Sequence, residues 1–394
     1  MALIVMKYGG TSVGNLERMQ NVAKQALAVQ ARGNQVVLIV SAMAGETNRL
    51  LGLANAICPK PDMRELDALA ATGEQVSAAL VSITIDALGG KARSLLGHQV
   101  RIRTDNAFTK ARIASIDDSK LRETLDEGRI AVVAGFQGTD SHGNITTLGR
   151  GGSDTTAVAI AAAIKADVCE IYTDVDGVYT TDPNICPSAR KIKAISYEEM
   201  LELASLGAKV LQIRSVEVAM KYGVPIHVRT SFNDTPGTLV TSEEGLESVV
   251  VRGVAYDKNE AKVQLIRVPD KPGTVARIFS SLAEQQVSVD VIIQTASRLG
   301  DATTDVTFTL PKTDLTRVKD WLEEHVRSIG GGGVEYDANV VKVSIVGLAM
   351  RSHAGVAAKM FQLLGDQDIN ILAISTSEIR ISCLIAAEHT EKAV

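Results

Sequence analysis

Residues 3–12 read LIVMKYGGTS: an apolar run ending at Lys7-Tyr8, then two glycines and two hydroxyl side chains. Such a short apolar run, bounded at once by turn residues, reads as a buried strand. Behind the turn, residues 16–32 put Leu16, Met19, Val22, Ala23 and Leu27 on one face, with Asn15 as N-cap and Gly33 as stop. The same rhythm continues to about residue 230. Strands are predicted at 3–8, 35–41, 99–103, 130–136, 169–173 and 225–229, separated by longer amphipathic segments. One of these, 196–206, opens with Ser196 three residues before Glu199, the spacing of a capping box. Alternation of this kind predicts an α/β domain with a largely parallel sheet.

A chain of 394 residues has room for two or three domains. Its aromatic content is low, with 6 Phe, 1 Trp and 7 Tyr against 32 Gly, so it lacks the stacking platforms of single-strand nucleic-acid binders. A net charge of −5 argues likewise against a phosphate-backbone binder. The longest uninterrupted apolar run, 157–164, falls short of a membrane span, and the N-terminus meets Lys7 too early for a signal peptide. The cysteines Cys58, Cys169, Cys186 and Cys383 have no metal-type spacing, so no side-chain metal site is predicted and a reducing cytoplasm is expected.

Three glycine-containing turns carry the chemistry. In KYGGTS, two glycines allow close backbone approach to an anion, Lys7 adds a charge and Ser12 a hydroxyl. It is neither a Walker loop nor Gly-x-Gly-x-x-Gly, and a plain tight turn with a lysine at its rim is an equal reading. In LGRGGSDTT (148–156), Ser153 or Asp154 would serve as an ordinary N-cap. Arg150 within the glycines is harder to assign to scaffold and suits bidentate capture of a carboxylate or phosphate. In TDVDGVYTTDP (173–183), Asp176-Gly177 predicts a hairpin, which is either structural or a wall for a nucleotide.

The second half repeats. Lys262-Val263 answers Lys342-Val343, and further on Gly273, Phe279, Leu282, Gln285 and Val289 answer Gly355, Phe361, Leu364, Gln367 and Ile371. Each copy reads strand, glycine turn, helix, strand and a further strand, at 303–310 and 380–386.

In order along the chain stand KYGGTS, TGEQVSAAL (72–80), AGFQG (134–138), LGRGGSDTTA, TDVDGVYTTDP and LGAKVLQIRSVE (206–217), followed by DKPG (270–273), RSHAG (351–355) and STSEIRIS (375–382). This ordered set resembles the aspartate kinases over nearly the whole chain. The resemblance implies an amino-acid-kinase-like three-layer αβα domain at 1–235, a linker and strand at 236–260 given to the second of two ferredoxin-like βαββαβ ACT modules, and modules at 261–338 and 339–394. The chain as given stops where the last module would need a closing helix.

The implied activity is transfer of the γ-phosphoryl group of ATP, with Mg²⁺, to the side-chain carboxylate of L-aspartate. A carboxylate nucleophile needs no general base, which agrees with the absence of His98, His142, His227, His325, His353 and His389 from the three glycine turns of the first domain. By match to the motifs, Lys7, Arg150 and Asp154 would be catalytic. Lys7, Tyr8, Gly9, Gly10 and Ser12 would surround the phosphates, with Thr173, Asp174, Tyr179, Asp182, Asn184 and Lys209 on the nucleotide side. Asn184 stands where relatives often carry Arg. Aspartate would meet Ser41, Thr47, Glu74, Arg150, Gly151, Gly152, Ser153 and Asp154. Taken alone, Glu74 is an ordinary acid in a first helical turn.

The ACT pair implies allosteric control by lysine or threonine. Its implied effector contacts are Asp270, Val275, Ser288, Val289, Asp290 and Gln294 in the first module, and Val356, Ala357, Asn370, Ile371, Ser377 and Glu378 in the second. A homodimer or higher oligomer is implied, without nucleic acid or membrane partners. Some relatives add a separate regulatory small subunit from an internal start; no Met occurs between Met220 and Met350, which leaves that arrangement open. Two competing readings keep the fold: a kinase of another acceptor, such as acetylglutamate, glutamate, carbamate or uridylate, and an inactive ligand sensor.

Overall fold

The computed structural model describes residues 1–208, 210–242, 251–296, 302–347, 350 and 355–394. Two compact units divide the chain. The first comprises Met1–Thr180, Arg190–Ser205 and Lys209–Ser248; the second comprises Thr181–Ala189, Leu206–Ala208 and Val249–Val394.

The apolar runs of the first unit form an eight-stranded sheet in the order Ala194–Ser196, Thr238–Thr241, Ile226–Thr230, Val168–Thr173, Leu3–Tyr8, Gln35–Val40, Ile130–Ala134, Ala92–Leu95. All neighbours run parallel except Thr238–Thr241 against Ile226–Thr230. Every residue of Ile130–Ala134 is buried, as expected of a parallel strand covered on both faces. Met6 and Tyr8 pack with the helices Leu16–Ala31 and Thr72–Ala87 on one side. Alternation turns Lys7 to the other side, where Gly152–Ile164 lies. The result is a mixed α/β, three-layer domain with a largely parallel central sheet.

Several local expectations change. Of the alternating residues 99–103 only Arg103 joins a strand, the two-residue Arg103–Thr104 of a separate small sheet: Gln99, Val100 and Ile102 N–H donate to Leu96 and Gly97 carbonyls, so Val100 and Ile102 are buried from a turn. The sheet's edge is instead Ala92–Leu95, whose partly buried middle gives no alternation to read. Asn15 does cap Leu16–Ala31, accepting from Arg18 N–H, but Leu16 at its first position is exposed. Neither Ser153 nor Asp154 is an N-cap; the helix starts at Gly152 behind Gly151 in the left-handed region at φ 71°. No hairpin turns at Asp176-Gly177; the pairing there is a single bridge between Tyr179 and Lys191. The helical stretch Met63–Ala87 has the length and mean hydropathy of a membrane span, which no single run of residues suggested. Half of its apolar window is buried inside the domain, as in a core helix.

In the second unit the repeat becomes two four-stranded antiparallel sheets of matching order. The first runs Asp290–Ala296, Thr303–Pro311, Glu260–Pro269, Gly333–Asp337, covered by Thr274–Glu284 and Lys312–Ser328. The second runs Ile371–Thr376, Arg380–Ala386, Val340–Val346, Gly253–Asp257, packed by Val356–Asp366. Gly253–Asp257 (GVAYD) therefore holds the position that Gly333–Asp337 (GVEYD) holds in its own sheet. Gly273 and Gly355 occupy equivalent N-caps at φ 89° and 100°. Of the linker and strand expected at 236–260, residues 243–250 lie outside the described residues, as do 351–354 of RSHAG.

Candidate active site

In open α/β sheets, ligands bind beyond the carboxyl ends of the strands. The strand Leu3–Tyr8 ends there with Lys7, whose Nζ lies 2.6 Å from Asp154 Oδ1, both side chains 11% exposed. This is a charge contact and not an aligned hydrogen bond, since Asp154 Oδ1 has no hydrogen-bond donor. Gly135, just past the strand Ile130–Ala134, makes room for Ser153: a Cβ there would sit 2.9 Å from Ser153 Oγ.

Gly10 of the first turn is required by close approach. A Cβ on Gly10 would lie 2.7 Å from the Ala42 carbonyl, and Ala44 N–H donates to Gly10 O at 3.1 Å. Ser12 is buried and donates to Ser231 Oγ at 2.8 Å. The helix behind this turn starts only at Leu16, so its N-terminus is separated from Gly10 by Thr11–Asn15. Tyr8 turns away from the turn to stack on Tyr172, ring centroids 4.6 Å apart, above Glu170 and Arg229. Burial, with the neighbouring Tyr172 and Glu170, pushes the Tyr8 hydroxyl well above its ordinary range.

Ala42 also links the turn to Glu74. Glu74 Oε1 accepts from Ala42 N–H at 3.0 Å, while Oε2 is buried without a donor. Burial raises its pKa to about 7, with the Ala42 N–H bond working the other way. Gly73 permits this docking, since a Cβ there would come within 2.8 Å of Ala42 Cβ. Ser41 opens the same loop, donating its N–H to Tyr8 O, and Thr47 stands on the helix Glu46–Ile57 behind it.

Arg150 is exposed, with no partner among the described residues. Its turn is glycine by necessity: Gly149 and Gly151 have φ of 76° and 71°. Of the residues expected to border the nucleotide, Thr173 donates to Asp174 Oδ1 at 3.0 Å, and Tyr179 donates to Asp176, which also pairs with Lys191. Asp182 and Asn184 fall in the second unit, where Asp182 accepts from Asn184 and from the Tyr256 hydroxyl. Lys209 lies outside the described residues. Sequence reasoning missed Ser231, Asp67 and Arg214, which support these turns; only Asp67, an acid inside the apolar stretch LDALAA, left a trace in the pattern.

Among the effector candidates, Asp270 and Gln294 come together, with Gln294 Nε2 3.5 Å from Asp270 Oδ1. Val275, Val356 and Ala357 lie on the first turns of the two equivalent helices. Ser288 is exposed and Val289 half-buried, ahead of Asp290, whose carboxylate is engaged by Lys342 at 2.7 Å. Asn370 is exposed beside half-buried Ile371; Ser377 N–H donates to Arg380 O, and Glu378 O accepts from Met350 N–H.

Both halves match known families. Residues 2–230 match the amino acid kinase family, and residues 263–324 and 343–394 each match an ACT domain. The fold and site thus define a kinase of that class with a tandem ACT region. An aspartokinase of Pseudomonas aeruginosa is 53% identical over 397 residues, spanning 100% of this chain and 96% of that protein. The crystal structure of E. coli aspartokinase III in complex with aspartate and ADP (R-state) is similar with a TM-score of 0.80 at 26% identity, covering 99% of this chain and 98% of that one. The E. coli enzyme in complex with lysine and aspartate (T-state) gives 0.78 at 26% identity, over 100% and 98%. The chain belongs to the aspartokinase family.

Proposed function

We propose that the chain transfers the γ-phosphoryl group of ATP to the side-chain carboxylate of L-aspartate, giving 4-phospho-L-aspartate, the first step toward lysine, threonine and methionine. The observation that carries this reading is the arc at the strand ends: Lys7 against Asp154, the Gly10–Ala42 contact, and Glu74 with one buried, unpartnered oxygen. Aspartate offers an ammonium group and two carboxylates. Glu74 Oε2 and Asp154 face the ammonium, and Arg150 takes a carboxylate with its planar fork. Lys7 faces the transferring group, where its charge is worth most because little water competes.

No proton has to be abstracted, so alignment and charge neutralisation supply the catalysis. Mg²⁺ would be brought by the nucleotide's own phosphates, a common arrangement for this ion. When bound it would neutralise charge on the phosphates during transfer. Thr173, Asp174 and Tyr179 would border the nucleotide, with Lys209, Asp182 and Asn184 as further contacts.

The tandem ACT region supports feedback control by an end-product amino acid. Lysine is favoured because an E. coli relative is described in complex with it; threonine is the other candidate. A homodimer or larger assembly in the cytoplasm, with or without a separate regulatory subunit, completes the reading. The test is hydroxamate formation from aspartate, hydroxylamine, ATP and Mg²⁺. Product is expected with aspartate; no product with aspartate but turnover of another acid would overturn it.

A further inference from the structure

Two charged side chains outside the proposed chemistry bind the segments that lead into the Arg150 turn. Asp67, on Met63–Ala70, is 1% exposed. Its carboxylate accepts from Thr109 N–H at 2.9 and 3.0 Å, from Thr147 N–H at 2.8 Å and from Thr147 Oγ1 at 2.6 Å. Arg214, on Ile213–Tyr222, donates from Nη1 to Leu148 O at 2.6 Å and from Nη2 to Ala111 O at 2.9 Å. Both residues therefore hold the same two segments, 109–111 and 147–148, which are joined to each other by Ala111 N–H donating to Thr147 O.

The next three residues are Gly149, Arg150 and Gly151. The first is pressed on Thr109, where a Cβ would lie 3.0 Å from its carbonyl. The last is pressed on Gln212, where a Cβ would lie 1.8 Å from Cγ. With glycine on both sides and no side-chain partner of its own among the described residues, Arg150 takes its direction from this backbone alone.

We propose that Asp67 and Arg214 are positioning residues for phosphoryl transfer, fixing the backbone from which Arg150 reaches the substrate carboxylate. This rests on the reading of Arg150 as the aspartate clamp. Small misplacements of a binding group cost rate steeply, so the effect should appear in aspartate recognition first.

The test is steady-state kinetics of the full chain carrying D67N, R214A or R214K, each also in an R150A background, with thermal melting of every variant. D67N and R214A are expected to raise KM for aspartate about ten- to hundredfold and to leave KM for ATP within about twofold. The conservative R214K, which keeps the charge but not the fork, should show the same split more weakly. In the R150A background neither substitution should raise KM for aspartate further. A cavity of about 340 Å³ borders Arg214, between Arg112, Ser115, Thr155 and Tyr222. Millimolar guanidinium should therefore restore part of the aspartate affinity of R214A. Additive effects with R150A, or parallel loss of both KM values in step with melting temperature, would overturn the proposal while leaving the clamp. An unchanged aspartate KM in R150A alone would remove the clamp reading and the proposal with it.

Discussion

Glu74 is an acid held where an acid is costly. Burial raises its pKa to about 7, and one oxygen has no donor. A substrate ammonium group would supply that donor and favour the charged form. KM for aspartate should accordingly rise as pH falls through about 7, with KM for ATP following less. Stability has the opposite sign. The native state keeps the proton up to about 7 while the unfolded chain releases it near 4.5, so between these values the unfolded state binds fewer protons and stability falls as pH rises. Glu74→Gln should therefore melt higher than the parent above pH 7, by an amount of order 3 kcal/mol at most, and the gain should fade below the ordinary Glu range. It should also bind aspartate poorly. Melting curves over pH check the first statement; a gain that grows on acidification would refute it. Lys7 is the complementary case. Lys7→Met should lower kcat about 100- to 1000-fold, the size expected for losing a charge aimed at the transferring group, with a smaller change in KM for ATP. A kcat near that of the parent would show that Lys7 serves only to pair with Asp154.

At the scale of elements, the glycine turns transmit such effects. Gly10→Ala places a Cβ 2.7 Å from the Ala42 carbonyl, a backbone atom that cannot swing aside. The loop must shift, and with it the N–H that docks Glu74. KM should rise for both aspartate and ATP, about tenfold or more, with only a modest fall in melting temperature; a large drop in melting temperature with intact KM values would place the cost in folding instead. The first of these turns was legible because it sits between an apolar run and a helix, the second because an apolar helix follows it. The capping box was legible too: Ser196 Oγ accepts from Glu199 N–H and Glu199 Oε2 accepts from Ser196 N–H. The supports of the site were not. Asp67 and Thr147 are 80 residues apart and Arg214 and Ala111 are 103 apart, and apart from the Thr147 Oγ1 bond these contacts end on backbone, which has no sequence signature. Residues 99–103 misled for a related reason: alternation records which side chains are buried, and a turn can bury Val100 and Ile102 as well as a strand can. The GVAYD and GVEYD strands were a readable repeat that the offsets at Lys262 and Lys342 already pointed toward.

At the scale of the whole molecule, the second unit joins its two modules through buried charge. Lys342 of the second sheet, 4% exposed, pairs with Glu260 of the first, and with Asp290 at 2.7 Å; Arg380 stands 3.7 Å from the same Asp290. Burial works against both ions, yet Lys342 holds Asp290 below the usual carboxylate range, and the two acids hold Lys342 above the usual amine range. Beside the charges, Val291, Val340, Ala373 and Leu384 close an apolar contact to which both modules contribute. A buried cluster of this kind adds little net stability compared with apolar residues of equal shape, but removing one partner strands the others. Lys342→Met should destabilise the chain by about 3–5 kcal/mol, seen as an early melting transition, and adding Glu260→Leu should recover part of the loss. If the ACT pair carries feedback inhibition, the two modules must move between arrangements that the effector tells apart, and this cluster biases that choice. Typical coupling of 1–3 kcal/mol corresponds to about 5- to 150-fold in affinity, so loss of the cluster should shift the inhibitory concentration of lysine or threonine within that range. Turnover without effector should stay close to that of the parent, because none of these side chains belongs to the first unit. Inhibition curves identical to the parent's, in a variant that already melts early, would show that the cluster holds the modules together and takes no part in their signal.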